Sequence, residues 1–223
     1  MKEFVHEPYY NSKGKEIPSV TTVIKLLNNK ELINWANFVG LICRKNHTEL
    51  SEKAATIGTL THYYLERIAK KKIISYKLLE DYKKDISESV MRGIKEFKQW
   101  RKEYKPEIIH CELKVKNERV GGTIDNISKI DNELFIIDYK TSKNVYPTMF
   151  LQLAAYNKLL REEKEMKIDK VGILLLNKKK IEWNFYKMEV EHLEKFYEPV
   201  FDKLLDIYEL WSDNLKYDWN KEI

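Results

Sequence analysis

The stretch FIIDYKTSK, Phe135 to Lys143, decides how the rest of the chain is read. Its tripeptide Asp138-Tyr139-Lys140 occurs a second time as Asp81-Tyr82-Lys83. An acidic residue two before a lysine is common in so lysine-rich a chain, as Glu112-Leu113-Lys114, Glu96-Phe97-Lys98 and Glu162-Glu163-Lys164 show, so only the setting separates the copies. The Asp81 copy lies in a charged pattern of helical texture, where residues two apart point about 200° away from each other, and it reads as a solvated helix face. The Asp138 copy closes the apolar run Phe135-Ile136-Ile137, the pattern of a strand buried on both faces. On a strand, Asp138 and Lys140 share one face, while Tyr139 turns its side chain to the other and leaves its carbonyl near the strand end. A carboxylate and an ammonium emerging side by side from a core strand have the geometry of a site.

Working outward, GGTIDNI places Asp125 across a short hairpin from Asp138. Two facing carboxylates suit Mg²⁺ or Mn²⁺, which take hard oxygen ligands. The competing reading is a sheet-face salt bridge between Asp125 and Lys140. Two helical motifs flank the pair. IGTLTHYYLERIAK sets His62 and Glu66 four apart on one helix face, and QLAAY does the same for Gln152 and Tyr156.

Residues 108–117, 120–130, 133–141, 170–178 and 181–189 carry β-branched, period-two runs, with a turn signal at Asp131-Asn132. Between the third and fourth runs, Met149, Leu153, Tyr156 and Leu160 form one helical stripe. Before Pro106 the chain reads as mainly helical. Helices are predicted from about Glu31 to Arg44, where Leu32, Trp35, Ala36, Val39 and Cys43 recur at helical spacing, from about Glu52 to Lys71, interrupted or started near Gly58, and from about Leu78 to Tyr104. The last helix is expected from Val190 to about Asp213. Near the start, a turn is read at Asn11–Gly14, then a Pro-bounded strand or helix start at Pro18-Ser19, with Thr21 and Thr22 as caps. This is an α/β (α+β) pattern, a helical N-terminal region followed by the order β-β-β-α-β-β-α.

The 223 residues suit one domain, alone or with a helical extension, and 43% hydrophobic content supports a buried core. A net charge of +5, from 40 basic and 35 acidic residues, permits a polyanionic partner without requiring one. The two cysteines, Cys43 and Cys111, form no CxxC pair, which excludes a four-cysteine iron–sulfur cluster or structural zinc site within the chain. They point to a reducing cytoplasm. No apolar signal core or membrane span is present in the sequence.

These motifs resemble the PD-(D/E)XK nuclease superfamily, specifically the RecB-type exonuclease branch that includes a mitochondrial genome maintenance exonuclease and its phage and bacterial relatives. IPSVTTVIKLL is similar to that branch's SVT segment, GTLTHYYLE to its G-x-x-x-H helix, GGTIDNI with IIDYKTSK to its paired metal-binding strands, and QLAAY to its Q-x-x-x-Y helix. The resemblance implies a restriction-endonuclease-like core, a mixed central sheet flanked by helices, in residues 106–223. Residues 1–105 would form a helical region carrying the His62 helix and packed on that core. It implies His62, Asp125 and Asp138 as metal ligands with the Tyr139 carbonyl, and Lys140 as the catalytic lysine, acting with Asp125 and Asp138. Gln152, Tyr156, Thr141 and Ser142 would orient the site or substrate, with Glu112 in an outer shell. The absence of four cysteines places the chain with the cluster-free members. The implied activity is Mg²⁺- or Mn²⁺-dependent exonucleolytic hydrolysis of DNA from single-stranded ends, in phage or bacterial replication and recombination. The alternatives are an endonuclease of the same fold and a non-cleaving nucleic-acid-binding module, which would not need to retain all four of His62, Asp125, Asp138 and Lys140. Cleavage polarity, DNA against RNA preference, the number of ions, protein partners and whether Lys140 acts as base or as cation stay open. Trp35, Tyr63, Tyr64 and Trp100 are expected to belong to helices that arch over the site and stack on a threaded single strand.

Overall fold

The computed structural model describes residues 7–27, 37–42, 44, 46–177 and 180–214. Trp35, Cys43 and most of the helix expected at 31–44 lie outside them, and Phe38–Ile42 forms a short π-helical turn.

Two short strands that the sequence reading did not place, β1 (Tyr9–Tyr10) and β2 (Glu16–Ile17), precede five that fall where the period-two runs put them: β3 (Glu107–Lys116), β4 (Gly121–Ile130), β5 (Glu133–Lys140), β6 (Lys170–Leu175) and β7 (Asn184–Glu189). β1 and β2 form a small hairpin, and the other strands form a five-stranded sheet in the order β3-β4-β5-β6-β7. Asp131 and Asn132 turn β4 into β5 with φ of 50° and 69°, the left-handed pair that a two-residue hairpin requires. β5 and β6 run parallel, all other neighbours antiparallel, so the sheet is mixed. The parallel step is a crossover through α4 (Pro147–Lys164). The fold is thus the restriction-endonuclease-like arrangement expected from the sequence.

Helices cover both faces, which is why β5 reads as an unbroken apolar run. Phe135, Ile137 and Tyr139 pack among residues of α2 (His47–Ala69) and α3 (Lys84–Tyr104). Ile136 faces the opposite cluster, built from α1 (Val20–Ile24), α4, α5 (Val190–Phe196) and α6 (Glu198–Asn214). No helix among the described residues is long and apolar enough to cross a membrane.

Several boundaries differ from expectation. α2 starts at His47, where Asn46 caps it by accepting from the Thr48 and Glu49 amides, and it runs unbroken through Gly58. Its first two turns, HTELSEK, carry no apolar stripe to mark them. The expected third helix is two pieces: a 3₁₀ turn at Lys77–Asp81, then α3 from Lys84. Asp81-Tyr82-Lys83 therefore lies at a break, not on a helix, with Asp81 and Lys83 exposed. The last helix divides at Tyr197. Ser19, not Thr21 or Thr22, caps α1, its Oγ accepting from the Thr22 amide at 3.1 Å.

Glu96 on α3 is wholly buried, and its two oxygens accept from the amides of Asn177 and Glu182 at 2.7 and 2.8 Å. It ties the connection between β6 and β7 to the helical layer.

Candidate active site

β4 and β5 are paired as far as Asn126 and Ile137 and then part. Lys140 keeps its place beside β6, its carbonyl accepting from the Leu176 amide at 2.8 Å. Tyr139, one residue back, turns its backbone groups the other way, toward the gap. Its N–H donates to Asp125 Oδ2 at 2.8 Å, and its carbonyl lies 2.9 Å from His62 Nε2. His62 Nδ1 is in turn 3.3 Å from Asp125 Oδ1. Freeing one residue from the ladder thus joins α2, β4 and β5 at a single point.

Asp138 and Lys140 share the face covered by α4, as period two requires. Lys140 Nζ lies 2.7 Å from Asp138 Oδ2 and donates to Asp138 Oδ1 and Gln152 Oε1, both at 3.0 Å. Gln152 Nε2 donates to Asp138 Oδ1 at 3.2 Å and to the Tyr156 hydroxyl at 2.9 Å. The Tyr156 ring lies against Gly122, where a β-carbon would come within 2.4 Å of it, so glycine there is a packing requirement.

These groups open into a cavity of about 640 Å³. Its second wall is the N-terminal segment, with Tyr9, Ser19, Thr22 and Lys25, and Tyr9 is bonded to Thr123 at 2.7 Å. Another cavity of about 620 Å³ lies beyond this segment. It is lined by Glu7, Glu16, Glu118, Glu209 and an Arg119 already paired with Asp206 and Glu209, and brings together no comparable set.

A family model of the PD-(D/E)XK nuclease superfamily matches residues 38–220. The chain belongs to that superfamily. No curated protein matches it in sequence. Solved structures similar to it include SSO0001, at 14% identity and a TM-score of 0.35 over 73% of this chain and 78% of that one. A candidate exonuclease from Eubacterium rectale is similar at 12% identity and a TM-score of 0.42, over 69% of this chain and 68% of its own.

PD-(D/E)XK nucleases use divalent metals, and the donor set here fits one. His62, Glu112 and Asp125 bring one ligand atom each to within 4.8 Å of one another. An imidazole and two carboxylates suit a divalent ion of the Mg²⁺–Mn²⁺ class. Burial alone would raise Asp125, but the His62 charge and hydrogen bond, Lys140 and the Tyr139 amide hold it below the usual carboxylate range. Burial pushes Asp138 up to about 6 although Lys140 pulls it down, so near neutral pH the two form an ion pair. Burial would lower Lys140, but the charges of Asp138 and Asp125 outweigh it and raise the ammonium's pKa. His62 is lowered by burial and raised further by Asp125, reaching about 9.

The structure brings His62, Asp125, Asp138, Tyr139, Lys140, Gln152 and Tyr156 together, and adds Glu112 to the same cavity. Ser142 does not reach it, since its hydroxyl donates to the Asn144 carbonyl in the turn before α4. Thr141 sits close to α2, its Oγ1 3.5 Å from where a Gly58 β-carbon would be. Tyr64 and Trp100 are fully buried, Trp100 stacked on Phe97, so neither can stack on a base. Of the described aromatics expected to cover the site, Tyr63 alone lines the cavity. Tyr9 and Lys25 were not anticipated as part of it, and only the SVT segment beside them carried a signal.

Proposed function

We propose that the protein is a divalent-metal-dependent deoxyribonuclease that degrades DNA from single-stranded ends, processing ends in replication or recombination. The observation that carries this reading is the joining of His62 and Asp125 at the freed Tyr139 backbone, beside an ammonium fixed by Asp138 and Gln152. A divalent cation held at His62 and Asp125 would supply Lewis-acid polarisation of the phosphodiester and acidify water. The chain's own groups do the rest. Lys140, held charged on two sides, stabilises the negative charge that develops on the phosphoryl oxygens. Gln152, itself donating to Tyr156, keeps the ammonium from collapsing wholly onto Asp138. Asp125, oriented by the Tyr139 amide, stays ionised.

Single-stranded preference is supported by Tyr63 and Tyr9 lining the cavity, since aromatic faces stack on unpaired bases at about 1–3 kcal/mol each, while Lys25 follows the backbone. The test uses end-labelled linear and covalently closed circular single-stranded DNA with Mg²⁺. Linear strands should be lost from an end and circles persist. Rapid cutting of closed circles would move the assignment to an endonuclease, and binding without cutting to a non-cleaving module.

A further inference from the structure

We infer that Glu112 is a direct ligand of the divalent cation, forming with His62 Nδ1 and Asp125 Oδ1 a seat on the β3 side of Asp125. The inference rests on the reading of the protein as a metal-dependent nuclease and adds a ligand to it, where the sequence motifs place Glu112 only in an outer shell.

Glu112 lies in mid-strand on β3, across from Asp125, and its carboxylate falls in the set whose ligand atoms are within 4.8 Å. That carboxylate is half-buried and makes no hydrogen bond or ion pair among the described residues. Asp138, by contrast, already has Lys140 and Gln152 as partners.

The orientation of His62 agrees. A carbonyl oxygen only accepts, so the nitrogen 2.9 Å from the Tyr139 carbonyl, Nε2, must carry hydrogen. This second contact fixes the ring and leaves Nδ1 as the atom beside Asp125. Glu112 also has φ of 56°, a left-handed conformation that a strand residue with a β-carbon adopts only when its surroundings impose it.

Direct ligation and outer-shell support both weaken metal binding, so the test needs a ligand-specific signal. Glu112→Cys loaded with Co²⁺, without nucleic acid, should show a thiolate-to-cobalt charge-transfer band. Wild type and Glu112→Gln, which carry the same native cysteines, should show none. Mn²⁺ affinity, read from the loss of the free-ion paramagnetic resonance signal, should fall on the order of tenfold or more in Glu112→Gln. Glu112→Gly is the second variant. It should lose Mn²⁺ affinity yet raise the melting temperature of the metal-free protein by roughly 2–4 °C, because glycine accepts the left-handed backbone. A folded, cobalt-binding Glu112→Cys protein without the band overturns the inference, as does unchanged Mn²⁺ affinity in Glu112→Gly. If those results come from a protein that still cleaves DNA, the nuclease reading survives them. A protein that gives the band and the affinity losses but cleaves no DNA sustains the ligand and defeats the nuclease reading.

Discussion

Gly122→Ala tests whether the site is held by packing that lies outside it. The new β-carbon would sit 2.4 Å from Tyr156 Cε1 and 3.1 Å from Cδ1, against an ordinary carbon contact of about 3.5–4.0 Å. The ring must retreat by more than about 1 Å, and it has little room, being 4% exposed and set in the α4-side core. Overpacking of this kind costs about 1–3 kcal/mol. The functional effect should be larger, because the Tyr156 hydroxyl positions Gln152, and Gln152 contacts both Lys140 and Asp138. A misplacement near 1 Å can cost about 10²-fold in rate. Urea melts and kcat on a single-stranded oligonucleotide with Mg²⁺ measure the two effects separately. Gly121→Ala is the comparator: its β-carbon would meet Tyr9 at 2.5 Å, on a cavity wall that does not touch Lys140, so KM should change more than kcat. In a Tyr156→Ala background the obstacle is gone, and Gly122→Ala should cost little more. Wild-type kcat and stability in Gly122→Ala, or an equal penalty in both backgrounds, would refute the reasoning.

Lys140→Ala should lower kcat by about 10² or more with little loss of stability, whereas Lys83→Ala, at an exposed helix start, should leave turnover unchanged. Equal behaviour of the two lysines in the same assay would remove the distinction between the two copies of the tripeptide. Glu96 gives a pH signature away from the site. Its pKa rises from 4.5 to about 7 through burial, so the folded state keeps a proton that the unfolded state releases, and its contribution to stability falls as pH rises through that window. The shift corresponds to roughly 3 kcal/mol. Because Gln does not titrate, the stability of Glu96→Gln relative to wild type should improve by about 2–3 kcal/mol between about pH 5 and pH 8 in urea melts. A pH-independent difference would show that Glu96 is not perturbed.

Much of the site was legible because it obeys simple periodicities. Period two placed Asp138 with Lys140 and turned Tyr139 inward, and helical spacing placed Gln152 above Tyr156. The turn at Asp131-Asn132 announced itself chemically. What sequence could not show depends on long-range packing or on backbone state. Glu112 reads as an ordinary strand residue, because nothing local signals a left-handed φ at that position. Tyr64 and Trp100 look the same as Tyr63 in sequence, yet helix rotation buries two and turns one to the cavity. The break at Tyr82-Lys83 was hidden by Leu78 and Leu79, whose spacing continues that of α3 although the chain there is a 3₁₀ turn. Tyr9 reaches the site only because the N-terminal hairpin folds back onto β4, with Ser19 bridged to Gly121.

We propose that the carboxylates and imidazole at the parted ends of β4 and β5 hold the cation that drives phosphodiester hydrolysis. It is tested most directly by single-turnover cleavage of end-labelled linear single-stranded DNA by wild type and Asp125→Asn at saturating Mg²⁺, with a chelator control. The account predicts rapid loss of the label by wild type, none with chelator, and at least about 10²-fold slower cleavage by a folded Asp125→Asn protein. Cleavage by Asp125→Asn within about tenfold of wild type, or undiminished cleavage in chelator, would contradict it.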